Sequence, residues 1–216
     1  MSGVGEHDGE TVDGLPGALP AGERLLWQGA PDWRAVAVHT LHLRKLAIYF
    51  AALLALRLWV SLDAGTPFAA AMAGVAGLAA VALVGLGFVV LFAWLTARGS
   101  RYTLTDRRLV LNIGIALPMS INLPFARIDG ADLKRFRDGS GEIALTLDRS
   151  VRASYVVMWP HVRTLKLVSV TPVLRGLPEP DRVAGLLGDA LTRAAGANAA
   201  RTGSAGDDLT LAAAGR

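Results

Sequence analysis

The residues of this sequence whose types and spacing could do chemistry are two histidines, one arginine inside an apolar run, four scattered carboxylates and a Trp-Pro-His-x-Arg stretch. His39 and His42 stand at i and i+3, which on a helix puts both imidazoles on one face. Neutral imidazole is a common ligand, so metal or chlorophyll ligation is one reading. With no third ligand nearby, a pair of interfacial histidines beside Arg44 and Lys45 is the other. Arg57 interrupts apolar sequence. A charge at the centre of a membrane span costs roughly 2.5–3.5 kcal/mol on insertion scales. Arg57 lies nearer the outer end, where it can snorkel, pair with Asp63 or meet a polar group on a partner. Asp129, Asp132, Asp138 and Glu142 are spread over predicted strands and a turn, as on a solvated face rather than in an acid–base pair. In Trp159-Pro160-His161-x-Arg163 the proline breaks a strand. It predicts an exposed turn on which Trp159, His161 and Arg163 contact a partner or acidic lipid headgroups, or on which Trp159 simply covers the core.

The rest of the chemistry search points away from catalysis. The chain has no cysteine, which excludes disulfides, thiolate catalysis and zinc–thiolate sites. It has no Walker A loop, no Rossmann glycine fingerprint, no His-Glu-x-x-His and no Gly-x-Ser-x-Gly. The expectation is a protein that is not an enzyme and needs no cofactor. Net charge is +4, placed beside apolar spans, which suits anionic lipid better than nucleic acid.

What must position these residues is a long apolar region. Leu46 to Ala97 is almost wholly apolar except for Arg57 and the break at residues 61–67. A bilayer core needs about 20 apolar residues in a helix, because only an internally hydrogen-bonded backbone can cross hydrocarbon. Two transmembrane helices follow, Leu46 to Leu62 and Phe68 to Ala97, joined as a hairpin within residues 41–98. Arg34, Arg44 and Lys45 precede the pair and Arg98, Arg101, Arg107 and Arg108 follow it, whereas the turn carries Asp63 and no Lys or Arg. The positive-inside rule then puts both termini in the cytoplasm of a bacterial inner membrane. A signal peptide is excluded because the apolar region is late, long and paired. Small residues at Ala70, Gly74, Gly77, Ala80 or Val81, and Gly85 form a stripe that suits close helix packing. The first span, a second copy in a homodimer or a foreign helix could each fill it.

The flanks are soluble in character. Overall the 216 residues are 52% hydrophobic and 19% charged, and the charges concentrate outside the hairpin. Residues 1–14 read as a disordered N-terminus and 15–40 as a cytoplasmic segment with a short strand at Arg24 to Gln28, whose apolar residues cover the domain beyond the hairpin or bind a partner. Residues 99–196 switch to a period of two. Strands are predicted at Arg101 to Thr105, Arg108 to Ile113, Met119 to Leu123, Gly130 to Phe136, Glu142 to Leu147, Ser154 to Trp159 and Leu165 to Val170. One amphipathic helix closes the domain, with Pro180 and Asp181 in its first turn, Val183, Leu186, Leu187, Ala190, Leu191 and Ala194 on one face, and Gly196 at its end. Residues 197–216 read as a disordered tail. The expected fold is a membrane α-helical hairpin plus a cytoplasmic all-β barrel closed by a C-terminal helix.

At this point Tyr102-x-Leu104-Thr105-Asp106-x-Arg108-Leu109-Val110, directly after a hairpin, resembles the opening of bacterial pleckstrin-homology-like (PH-like) domains. Further motifs are similar to the PuhB family of photosynthetic-complex assembly proteins of purple bacteria. They include Leu15-Pro16-Gly17-x-Leu19-Pro20-x-Gly22-Glu23, Trp27-Gln28-Gly29-x-Pro31-Asp32-Trp33, Gly114-x-Ala116-Leu117-Pro118, Asn122-Leu123-Pro124-Phe125, Trp159-Pro160-His161-x-Arg163 and Pro172-x-Leu174-Arg175. In order, they span Leu15 to Ala190. Thr164-Leu165 departs from the Pro-Trp expected after Arg163. The resemblance implies a non-catalytic assembly factor in the photosynthetic membrane, with subunits of the reaction centre and of light-harvesting complex 1 as partners. Architecture alone leaves a general membrane-tethered lipid- or protein-binding module as the alternative.

Overall fold

The computed structural model describes residues 19–20, 22–114, 119–148, 160–163 and 171–196. Two helices dominate one half of it. Helix α2 runs Leu43–Asp63 and helix α3 runs Phe68–Arg98, within a residue or two at most of the ends that polar breaks and Pro67 predict, apart from the start of α2 three residues earlier. At 1.5 Å per residue they measure about 32 and 46 Å, and both are long and apolar enough to cross a membrane. Their large side chains point outward: Ile48, Trp59, Val81, Leu83 and Phe88 are each about two-thirds exposed, which a water-soluble core helix would not tolerate. The residues of α3 that are buried are small, with Ala71, Ala82 and Ala93 at eleven-residue intervals. Gly77 and Gly85 of the small-residue stripe lie elsewhere, since a Cβ at either would meet nothing within 4 Å.

The soluble half is built on two antiparallel sheets. The first has the order β1 (Leu25–Gly29), β2 (Arg101–Thr105), β3 (Arg108–Ile113), β4 (Met119–Pro124), and the second has the order β5 (Ile128–Arg135), β6 (Gly141–Leu147), β8 (Thr171–Leu177), β7 (Val162–Arg163). The tight β2–β3 turn is set by Thr105, whose hydroxyl accepts the backbone N–H groups of Arg107 and Arg108 at 3.3 and 3.1 Å. Between the sheets lies one core, drawing Leu104, Leu111 and Leu123 from the first sheet and Ile143, Leu145 and Leu174 from the second. A helix at 180–196, α4, adds Val183, Leu187 and Ala190 to it. The apolar face read from a 3.6-residue period is the face that packs.

Two expectations are corrected here. Among the described residues the sheets are not closed into a barrel: β4 and β5 form no ladder, because a single 3-10 turn at Phe125–Arg127, with Phe125 buried, carries the chain from one sheet to the other. Strands β7 and β8 were not foreseen: Pro160 reads as breaking a strand, and the next strand is expected at Leu165 to Val170. Pro172 is tolerated near the start of β8, where the chain enters the sheet. The strands predicted at 154–159 and 165–170 lie outside the described residues, as do residues 1–14 and the tail from 197.

The position of β1 determines how the halves relate. It pairs antiparallel with β2, Leu25 opposite Thr105 and Gly29 opposite Tyr102, so the whole helical hairpin is the connection between two neighbouring strands. The apolar residues before the hairpin thus find their cover on the domain after it. Two hydrogen bonds from Arg108, at Nε and Nη2, reach the Glu23 carboxylate at 2.7 Å each and fix the entry to β1. Burial alone would push the Glu23 carboxyl up, but the bonds from Arg108 and Thr105 and the Arg108 charge hold it below its ordinary value. The Asp106 carboxylate accepts the Arg24 N–H at 3.0 Å, and the Asp106 N–H returns a bond to the Arg24 carbonyl. Glu23→Ala should therefore cost about 2 kcal/mol and, in the full chain in detergent, expose the segment before β1 to protease. Unchanged cleavage would show that the ladder alone holds β1.

Candidate functional site

Between β1 and α2 the chain makes a compact connector. Asp32 caps a single helical turn, α1 (Trp33–Ala35), by accepting the Arg34 N–H at 2.9 Å, and a π-helical turn follows at Val36–Thr40. Val36 and Ala37 bury themselves against Ala93 of α3. On the other side the Asp32 N–H donates to the Gly176 carbonyl at 2.7 Å. Gly176 has φ +62°, and a Cβ there would stand 2.9 Å from the Asp32 carbonyl oxygen, so this approach of strand and connector needs glycine.

The connector ends in a clamp. His39 Nε2 meets Asp138 Oδ2 at 2.6 Å, and the imidazole stacks on Phe136 with centroids 3.7 Å apart and planes 6° from parallel. Asp138 belongs to the β5–β6 turn, where its other oxygen accepts the Ser140 hydroxyl and N–H at 2.7 and 3.2 Å. Bonds from Ser140 and His39 hold the Asp138 carboxyl down to about 2. The chain then breaks at His42, whose φ of +57° is left-handed, and α2 begins. That break overturns the shared helix face expected for His39 and His42. No group of three or more potential metal ligands occurs among the described residues.

Beside the clamp opens a cleft of about 520 Å³, lined among others by Trp33, Arg34, Val38, Arg44, Asp138 and Ser140. Arg34 and Arg44 are exposed, and Arg34 lies against the Trp33 ring at 5.4 Å. An arginine pair at the foot of two apolar helices is suited to an anionic group at headgroup level.

The stretch expected to make contacts behaves differently. His161 is 2% exposed, not on an exposed turn. Its Nδ1 is hydrogen-bonded to the Tyr102 hydroxyl at 2.8 Å and its Nε2 to the Ser100 hydroxyl at 3.0 Å. Burial, reinforced by the Arg175 charge, pushes its pKa down to about 3, so the ring is neutral. Arg175 fastens the same corner: Nε donates to the Pro160 carbonyl at 2.7 Å, Nη2 to the Val162 carbonyl at 2.6 Å and Nη1 to Glu142 at 3.1 Å. Ser100 against His161 has the spacing of a nucleophile and its base, and both are buried. The cluster is a structural tie between β2, β7 and β8.

Arg163 sits on β7, opposite Thr171. Trp159 lies outside the described residues. Arg57 is in α2, away from both clamp and tie. Ser100, Tyr102, Arg175 and the His39–Asp138 pair were not foreseen as a group. Nothing local announces them, since His39 and Asp138 are 99 positions apart.

Comparison with known proteins agrees with this architecture. Residues 46–191 match the family model described as bacterial PH domain. A Rhodobacter capsulatus protein, described as an uncharacterized 23.7 kDa protein in the puhA 5′ region, is 34% identical over 189 residues, covering 86% of this chain and 87% of that one. No solved structure matches.

The tie gives stability a pH signature. The unfolded chain binds a proton at His161 below about 6.5, whereas the folded chain refuses it until about 3, so stability should fall as pH drops through that window, by up to about 1.4 kcal/mol per pH unit. Asp138 has the same sign but acts lower, its contribution complete above 3.8 and lost toward 2. Thermal unfolding of the full chain in detergent should show His161→Gln flattening the slope between pH 6.5 and 4. His161→Ala, which strands the Ser100 hydroxyl and leaves the Tyr102 hydroxyl only its bonds with the Arg175 backbone, should cost about 3 kcal/mol at pH 7.

Proposed function

The chain belongs to the bacterial PH domain family, and from that premise we propose that it is a non-catalytic assembly factor of the bacterial inner membrane. Its hairpin spans the bilayer with both termini cytoplasmic, and its domain binds subunits of the photosynthetic reaction centre and of light-harvesting complex 1. The observation that carries this reading is the rigid mounting of the domain on the hairpin. Connector, clamp and β1 hold the two sheets at the foot of α2 and α3, where a client already in the membrane meets them at high effective concentration.

The assignment to photosynthesis rests on the resemblance of the sequence to the PuhB family. A relative named for its place in the puhA 5′ region agrees with it. The orientation rests on the arginines that flank the hairpin and are absent from its turn. Binding rather than catalysis is favoured by the closed setting of the Ser100–His161 pair. The cleft with Arg34 and Arg44 favours an anionic headgroup as part of the mounting.

The test is the near-infrared absorption of membranes from a strain lacking the gene, grown at low oxygen, against the complemented strain. Loss of reaction-centre and core-antenna bands with pigment synthesis intact is the expected outcome. An unchanged spectrum would overturn the assembly role and leave a membrane-tethered binding module with another client.

A further inference from the structure

Arg57 lies six residues from the turn-side end of α2, and Gly74 lies six residues from the turn-side start of α3. Both positions are therefore about 9 Å in from the turn, at the same depth. The Arg57 side chain runs across the hairpin at that level: Nη2 and Nε lie 3.5 and 3.9 Å from the point a Gly74 Cβ would occupy. It does not reach toward the turn, and it makes no ion pair with Asp63. The guanidinium thus lies against Gly74, at ordinary contact distance from where a Cβ would stand. One turn further into the membrane, Gly77 opens onto free space, and Val81, beyond it, is 69% exposed.

A guanidinium has five N–H donors, and none has a partner among the described residues at this depth. In hydrocarbon such a group needs a counter-charge, and intramembrane arginines characteristically face one. Ser61 cannot supply it, because its hydroxyl is uncharged and is turned to the Arg57 carbonyl at 2.8 Å. We propose that Arg57, Gly74 and Gly77 form a docking site for a transmembrane helix of another protein, one carrying an Asp or Glu carboxylate at the depth of Arg57. The two glycines let that helix approach the α3 backbone closely, and the carboxylate completes a bidentate pair with the guanidinium. A second copy of this chain fits poorly. Symmetric pairing across this face would set two Arg57 charges side by side at one depth. A lipid phosphate would draw the side chain along α2 toward the surface instead of across to α3.

The inference rests on the reading of the chain as a membrane-anchored binding protein, but not on which clients it serves. It is tested in native membranes with a photo-reactive benzoylphenylalanine in place of Val81, the adduct identified by mass spectrometry. The expected adduct is with a protein whose span carries a carboxylate at the matching depth. Arg57→Gln should lower its yield at least tenfold, Arg57→Lys, which keeps the charge but not the planar fork, should retain part of it, and Arg57→Glu should abolish it until the partner carboxylate is changed to Arg. Gly74→Val, whose branched side chain crowds the guanidinium and the helix face while keeping the charge, should also lower the yield, and decides the matter if Arg57→Gln fails to accumulate. Adducts only with lipid or a second copy, a yield indifferent to Arg57 and Gly74, or a partner span without a carboxylate would each overturn the proposal. An Arg57-dependent adduct with a protein outside the photosynthetic complexes would instead overturn the assembly role and leave this site standing.

Discussion

Everything in this molecule depends on one strand pairing. Because β1 and β2 are antiparallel neighbours, the chain leaves the sheet at Gly29 and must return to the same edge at Arg101. Backbone polar groups can cross hydrocarbon only inside helices. A chain that must come back to its starting edge can therefore cross only an even number of times. Two helices joined by a short turn are the smallest solution. The soluble sheets and the apolar pair are thus not two units strung in series: each closes the other's loop.

A connection through two long helices would still leave the sheets free to swing, and the connector removes that freedom. It is held on three sides, by the Gly176 carbonyl of β8, by Ala93 of α3 and by the β5–β6 turn through Asp138 and Phe136. The π-helical turn and the left-handed His42 redirect the chain from this seat into α2. Behind it, the Tyr102–His161–Ser100 tie and the Arg175 guanidinium join β2, β7 and β8. Polar groups are concentrated where rigidity between the halves is needed, and the remaining core is apolar, mostly Leu, Ile and Val with Phe125 and Ala190.

Periodicity made the helices and most strands legible. Apolar length sets α2 and α3, alternation with Thr105-Asp106 sets the β2–β3 hairpin, and the 3.6-residue stripe sets α4. What failed to show was whatever depends on partners distant in the chain. Pro160 predicted exposure, yet Arg175, fifteen positions on, captures its carbonyl and draws His161 inside. The i and i+3 spacing of His39 and His42 predicted one face, yet the pull of Asp138 on one side and the start of α2 on the other break the helix between them. Barrel closure was inferred from strand count alone, and a count of strands does not say which edges pair. Arg57 was visible as an anomaly, but its neighbour Gly74 became meaningful only once the two helices were set side by side.

The same strand pairing has a consequence in time. As the chain is made, β1 emerges first and its partner only after roughly seventy further residues, which at 5–20 residues per second is a delay of several seconds. Throughout that interval β1 is an unsatisfied edge, and the first sheet cannot form until α2 and α3 are complete and Arg101 has come back beside it. Folding of the first sheet therefore waits on the complete helical pair. A chain cut short within α2 or α3 carries β1 with no partner strand, so the architecture itself makes the first sheet all-or-none.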